Sequence, residues 1–555
     1  MKLIWLLLIG GLVGCDGGFK DIDRRVELYM FDTSEEMGSV GPPTHELSAS
    51  GDDSSSLITN PETVNPNAQS LGFVPATDLD EDKIAQSLDK AAEDLEKSSF
   101  VLTLQEALVW AETYSKEMEF AQYDYLSSTL SLLSELHLWG PRFFNTIRSN
   151  LAAGSTGGLY DTSLTVVNDF SITKKLENGG SVSASALTTI ARSIHASSTQ
   201  NSSDSNIELA LDIPLLRGSG AVAREPLIQA KRDLVYAARS YERFRRVFYR
   251  DIVGDYLSLV VQKQSLENAR RGVDSLRQLA TRQAALYESG RTRLYDSADA
   301  ENQALAAVAR LSQSWERYRL ALDRFKIRIG WPIDNTIQVT PTTIGVVPPE
   351  VAVSEAVQEA LVFRLDLQNE KCRVEDSQRG VENTLNSLLP DLDFTASAST
   401  DSEQDKPGRF SGKDIDYLAG LSLSLPLDRE TERIAVRQKQ IALERAKRSY
   451  RESKDGVAVS VRSSLRNIEV YQFTLNLQER NVTIAMLGLD SINADPDRVS
   501  VLDQTRAISD LQGAQDARDS AKRDLELAIL DYLLQAGRLR VGNGGELLLV
   551  TQPQE

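Results

Sequence analysis

The spacing of apolar positions changes period along the chain, and each change marks an element. No proline intervenes between Pro226 and Pro332, and within that stretch Ile252, Leu259, Leu266 and Val273 recur at every seventh residue. Val461, Ile468, Leu475, Val482 and Leu489 repeat the spacing later. A seven-residue apolar repeat keeps one seam turned toward a neighbouring helix, the signature of coiled-coil packing. Ala221 to Gln283 alone would span roughly 90 Å as a helix, longer than a compact core needs. Elsewhere the period is two: Val182, Ala184, Ala186; Ile207, Leu209, Leu211, Ile213; Phe394, Ala396, Ala398; Leu421, Leu423, Leu425. Such alternation fits a barrel wall with one lipid face and one wet face. It fits a half-buried soluble sheet equally. Glu177-Asn178-Gly179-Gly180 reads as a tight hairpin turn, and 197–205 and 399–412 as polar loops. Trp139, Phe143, Phe144, Phe170 and Tyr417 fall near expected strand ends, suiting either an interfacial girdle or core packing.

The pattern occurs twice. Ala107, in Leu104-Gln105-Glu106-Ala107-Leu108, lies 34 residues before Pro141, and Ala356 lies 34 before Pro390. Asp296 lies 34 residues before Gly330, and Asp503 lies 34 before Gly537. Between these blocks each half carries a strand-like run closed by proline, at Pro214 and at Pro426. Residues 101–332 and 351–540 are therefore expected to be two copies of one unit. The linker 333–350 between them contains Pro341, Pro348 and Pro349, and 541–555 form a C-terminal tail. The stretch from Pro141 to Pro214 spans 73 residues against 36 from Pro390 to Pro426, room for an extra hairpin or a longer external loop in the first copy.

Ahead of the repeats lies an address. Lys2, the apolar run Leu3 to Val13 and Leu12-Val13-Gly14-Cys15 have the form of a signal peptide. The last four residues resemble the lipobox of bacterial lipoproteins, which implies cleavage after residue 14 and acylation of Cys15; the alternative is an ordinary secretory signal with an incidental cysteine. Asp16, directly after it, is in some bacteria a signal for retention at the inner membrane. Residues 16–98 hold 19 Asp and Glu against 6 Lys and Arg, with Pro42, Pro43, Pro61, Pro66 and Pro75 among Ser, Gly and Asp. This stretch reads as an acidic disordered linker, with a short amphipathic helix possible over 78–98.

Composition narrows the function. The formal net charge of −19 opposes nucleic-acid binding, which needs clustered Lys and Arg. The apolar run Leu3 to Val13 is 11 residues long, short of the roughly 18 to 20 of a membrane-spanning helix. His45, His137, His195, Cys15 and Cys372 are too scattered for a zinc cluster, and there is no catalytic triad pattern or phosphate-cradling glycine loop. No enzyme activity and no cofactor is expected. A lipid-anchored periplasmic coiled-coil protein, structural or interacting, remains the alternative to a membrane channel.

In this order and duplicated, several segments resemble the TolC family of outer-membrane channels over about residues 101–540. They are Leu104-Gln105-Glu106-Ala107-Leu108, Ile213-Pro214-Leu215-Leu216-Arg217-Gly218, Gly290 to Asp296 with Glu301, Leu322 to Gly330, and Leu365-Asp366-Leu367 leading to Leu388-Leu389-Pro390. The resemblance implies a mainly α fold with membrane β: two tandem helix-strand-strand-helix repeats, long helices forming a periplasmic tunnel, and about four strands per protomer given to a trimeric β-barrel. It implies a homotrimer, a passive exit duct for a tripartite efflux or type I secretion system, a periplasmic adaptor and an inner-membrane pump as partners, and a place among outer-membrane lipids. Four strands cannot close a membrane barrel alone, since the smallest have eight. The adaptor is expected at the helix-hairpin tips, at Gly290, Arg291 and Thr292 and at Asp497 and Arg498. Just beyond them Asp296 and Asp299, and Asp503 and Arg506, are the expected periplasmic gate, each pair sharing a helical face. A residue matching Asp503 lines the narrow entrance in the family, so a trimer would set three like charges in a ring. Arg506 stands where the best-known member is acidic, a change that would neutralise the ring.

Overall fold

The computed structural model describes residues 18–36, 100–156, 159–195, 202–403, 406–494, 499–542 and 547–549. In chain order these form α1 (Gly18–Glu36), β1 (Phe100–Leu102), α2 (Leu104–Tyr114), α3 (Lys116–Trp139), β2 (Arg142–Thr156), β3 (Leu159–Lys175), β4 (Ser181–His195), β5 (Ser202–Pro214), α4 (Glu225–Glu288) and α5 (Leu294–Ile329). There follow β6 (Ile337–Val339), α6 (Val353–Phe363), α7 (Leu365–Asn386), β7 (Asp391–Ser402), β8 (Phe410–Ser424), α8 (Glu430–Ala494), α9 (Val501–Gln535), β9 (Leu539–Val541) and β10 (Leu547–Leu549).

The duplication is visible element by element: α2, α3, strands, α4, α5 in the first copy and α6, α7, strands, α8, α9 in the second. The long helices α4 and α8 have 64 and 65 residues, about 96 Å each at about 1.5 Å per residue. The seam read from the sequence is the buried one. Ile252, Leu259, Leu266 and Val273 are all buried on α4, as are Val461, Ile468 and Val482 on α8. Leu475 and Leu489 of the same series are half-buried. α4 packs on α3, α5 and α9, and α8 on α7 and α9, so one bundle unites the copies. Among the described residues no helix is long and apolar enough to cross a membrane.

The 34-residue spacing has a local cause. Asp296 and Asp503 sit in the first turns of α5 and α9, and Gly330 and Gly537 end the same helices in the left-handed conformation, with φ of 76° and 73°. A Cβ on Gly330 would lie 2.1 Å from the Tyr114 carbonyl oxygen, and one on Gly537 would lie 3.0 Å from the Phe363 carbonyl carbon. Each glycine thus lets a long helix end against the end of its copy's short helix, α2 or α6. Around this waist β1 pairs in parallel with β6, and the Tyr256 hydroxyl donates to the Leu102 carbonyl at 2.9 Å.

At one end of the bundle lies a single six-stranded antiparallel sheet in the order β2-β3-β4-β5-β7-β8, joined across the two copies by β5 and β7. The expected hairpin turn is present: Leu176 N–H donates to the Gly180 carbonyl at 2.8 Å, and Gly179 has φ 96°. Two expectations are corrected here. The protomer contributes six strands, not about four, because the longer stretch of the first copy is filled by an additional hairpin. The expected linker 16–98 also contains α1, whose Val26 and Met30 are buried against Tyr125, Leu132, Leu133, Leu234 and Ala238. A four-residue apolar spacing gives that helix a face to dock, whatever the acidity of the surrounding stretch. The helix considered over 78–98 lies outside the described residues. Of the aromatics placed near strand ends, Phe143 and Phe144 are exposed at the helix-proximal end of β2, whereas Tyr417 lies mid-strand opposite Ala398.

The ladder register assigns each strand residue to a face. One face carries Phe143, Ile147 and Leu151 of β2, Val166, Phe170 and Ile172 of β3, Ala184 of β4, Leu209 and Leu211 of β5, Phe394 of β7 and Leu421 and Leu423 of β8. The other carries mainly polar and small residues. On that side Ser181, Ser183, Glu208, Asp212, Thr395 and Ser397, with Ala210 and Leu418 among them, line a shallow hollow. Leu421 and Leu423 on the apolar side are 68 % and 58 % exposed.

Candidate functional site at the helix-hairpin tips

The end of the bundle away from the sheet is where α4 turns into α5 and α8 into α9. At the first tip Ser289 N–H donates to the Ala285 carbonyl at 3.1 Å and Arg291 N–H to the Leu286 carbonyl at 2.8 Å, closing the helix. Gly290 supplies the required positive φ of 71°, and a Cβ there would meet nothing within 4 Å. Arg291 is exposed and Thr292 half-buried, its hydroxyl 3.5 Å from an Asp296 oxygen. Arg293 Nε also lies 3.5 Å from Asp296, a weak and largely solvated pair. Asp299, one turn on, is half-buried.

At the second tip Asp497 and Arg498 lie outside the described residues, and the site resumes at Val499. Ser500 is the N-cap of α9. Its Oγ accepts the Asp503 N–H at 3.2 Å and donates to Asp503 Oδ2 at 2.7 Å. Asp503 and Arg506 are both exposed, and among the described residues Arg506 makes no ion pair. Val501 is buried in the cluster of Val273, Leu276, Leu279, Ala300 and Ala304, so α9 starts against the α4–α5 hairpin. This contact brings both acidic sets to the same end of the bundle.

Sequence reasoning missed two features of this end. Ser500 caps α9 through the Asp503 N–H and also holds the Asp503 carboxylate, a contact that the Ser500-x-x-Asp503 spacing permits. Exposed apolar side chains also flank the tips: Leu294 and Tyr295 are 62 % and 76 % exposed, and Leu502, Met486 and Leu487 are exposed on the other hairpin. The signal was available, since these residues fall off the seven-residue seam next to the turn glycine and the Asp495-Pro496 break.

Long paired helices, a two-faced sheet with open edges and a duplicated chain are the architecture that the resemblance implied. Residues 356–541 match the outer membrane efflux protein family. That match runs from α6 to the end of β9, the second copy of the repeat. About four fifths of the chain also shares the fold of solved outer-membrane channels. The Campylobacter jejuni CmeC outer membrane channel is 13 % identical, covers 80 % of this chain and 86 % of its own, and superposes with a TM-score of 0.60. The Vibrio cholerae outer membrane protein VceC, 13 % identical, covers 78 % of this chain and 96 % of its own at a TM-score of 0.59. The Neisseria gonorrhoeae MtrE outer membrane channel, in its open state, is 13 % identical and covers 80 % and 89 % at a TM-score of 0.57. At such identities the likeness is one of fold. No curated protein matches the chain by sequence.

Proposed function

We propose that the chain is the outer-membrane channel of a tripartite efflux or type I secretion system. A homotrimer forms a passive duct across periplasm and outer membrane, anchored by lipid at Cys15. The observation that carries this reading is the sheet, mainly polar on one face with large apolar side chains exposed on the other, set on helices of about 96 Å. A coiled-coil scaffold with soluble strands would leave that outer face unpaid in water. A periplasmic adaptor meets the tips at Gly290, Arg291, Thr292, Asp497 and Arg498, with the inner-membrane pump beyond it. Leu294, Tyr295 and Leu502 add apolar area to that contact.

Asp296, Asp299, Asp503 and Arg506 form the gate. In a trimer each of these charges is repeated three times around the axis, so the Asp503 carboxylates attract cations while Arg506 opposes them. The test is conductance of the detergent-extracted protein in a planar bilayer, with crosslinking to count subunits. Discrete openings from a trimer are expected, and a water-soluble monomer without conductance would overturn the channel. Asp503→Asn is expected to lower cation preference and Arg506→Ala to raise it. Unchanged conductance and selectivity in both would remove the gate assignment while leaving the channel standing.

A further inference from the structure

The resemblance implies four strands per protomer, yet six pair in this sheet. We propose that three copies close an 18-stranded barrel in which β8 of one copy pairs with β2 of the next, so that the outer end of the duct has the width of a porin. The proposal rests on the trimeric channel reading above, and three observations carry it.

The added hairpin belongs to the wall. Phe143, Ile147 and Leu151 on β2 and Val166, Phe170 and Ile172 on β3 share the apolar face with Leu209, Phe394 and Leu421 at the other side of the sheet. A flap lying in water beside a four-stranded wall would have no reason to keep an outward apolar face in phase with it.

The stagger is that of a membrane barrel. From Arg142 at the helix-proximal end of β2, the ladder runs through Thr173, Ser183, Ala210 and Ser397 to Leu418. Strand β8 continues beyond Leu418 to Ser424 before reaching its own helix-proximal end. The ends therefore step by about six residues over about five inter-strand spacings, which at about 3.3 Å per residue and about 4.8 Å per spacing is a slope of about 40°. Barrel strands tilt by about 35–45°. All six strands follow this slope, the added hairpin included.

The two outer edges also complement each other. β2 and β8 are 15 residues each, and among the described residues neither has a second strand partner. With six strands β2 and β8 run in opposite directions, so neighbouring copies meet antiparallel. Arg142 and Ser424 lie on the same polar face, so setting them level keeps lumen against lumen. That register places Asn150 opposite Asp416 and the Arg148 guanidinium diagonal to the Asp416 carboxylate, within reach of an ion pair across the joint. Barrel diameter grows roughly linearly with strand number, so 18 strands give a bore about 1.5 times that of 12.

The experiment uses the full chain with Cys372→Ser. Under oxidation Asn150→Cys with Asp416→Cys, or Ala152→Cys with Asp416→Cys should the joint slip by two residues, is expected to give a covalent trimer. Thr189→Cys with Asp416→Cys tests the alternative joint, in which β8 meets β4 and the hairpin β2–β3 lies outside a 12-stranded wall. Deleting 159–195 joins β2 to β5 and leaves four strands. Polyethylene glycols added from the barrel side read the barrel and not the helical constriction, and the largest polymer radius admitted is expected to fall by about a third. A conducting trimer that crosslinks only through Thr189, or admits the same polymers after the deletion, overturns the 18-stranded barrel and leaves the channel intact. Should the deletion variant not assemble, the crosslinks on the full-length chain decide. Failure to form a conducting trimer at all overturns both.

Discussion

Asp516 lies on the α4–α9 contact, where it accepts from Asn268 Nδ2 at 2.7 Å and from Ser265 Oγ at 3.1 Å. Burial pushes its carboxyl pKa up from 3.8, and the two hydrogen bonds only partly oppose that. An acid whose folded pKa is raised contributes its full stability below the unfolded value and loses it as pH rises through the folded one. Asp516→Asn keeps both hydrogen-bond contacts, because the amide can accept from Asn268 and donate to Ser265. The variant is expected to be the more stable of the two at pH 7. Heat denaturation at pH 7 and near pH 4 checks this, with the advantage vanishing at the lower pH. Ser500→Ala removes the cap of α9 and is expected to cost about 1 kcal/mol, seen as faster amide exchange in the first turn of that helix. At this scale the sequence was legible where spacing is periodic: Ile252, Leu259, Leu266 and Val273 are the seam of α4 and are buried. The side-chain partners of Asp516 come from residues 248 and 251 positions away, and no local pattern reveals them.

Helices and strands differ in how openly the chain announces them. The alternation of β4, β5, β7 and β8 is plain, but β2 places its large apolar residues on the outer face at Phe143, Ile147 and Leu151, with Asn145 and Ser149 between them. A four-residue period reads as helical or irregular, which is why the added hairpin appeared only as surplus length. Helix α1 was hidden by composition, since its docking face is narrow beside the acidic stretch around it. Val26→Asp with Met30→Asp should release it, and limited trypsin digestion should then cut sooner at Arg24 and Arg25. Helix ends offer a sharper comparison. Gly290 and Gly330 have nearly the same φ, but only Gly330 has a carbonyl where a Cβ would go. Gly290→Ala is expected to cost about 1–2 kcal/mol from the left-handed backbone alone. Gly330→Ala should cost clearly more, as the end of α5 must move off Tyr114; paired thermal melts measure the difference.

For the whole molecule, the proposed lipid anchor and the proposed barrel would each hold the protein to a membrane. Strands inserted through the bilayer do not detach, so a barrel needs no acyl chains to hold it there. Protein beginning at residue 16, without acyl chains, is therefore expected to open channels of unchanged conductance in planar bilayers; loss of channels would make the anchor part of the assembly itself. The gross plan of two copies, long helices and a shared sheet was legible because duplication repeats every spacing twice. The number of strands was not, since the outer apolar residues of β2 are four apart and the added hairpin showed only as surplus length.

Separation in sequence also constrains how the chain is made. Asn206 and Asp401, hydrogen-bonded neighbours on β5 and β7, are 195 residues apart. As the chain emerges during synthesis, the first four strands are complete while the remaining two have yet to appear. Pairing over such a separation is slow, and until it occurs the β5 edge can bind other chains. A pause in synthesis between the two copies is therefore expected to lengthen the period of greatest aggregation risk.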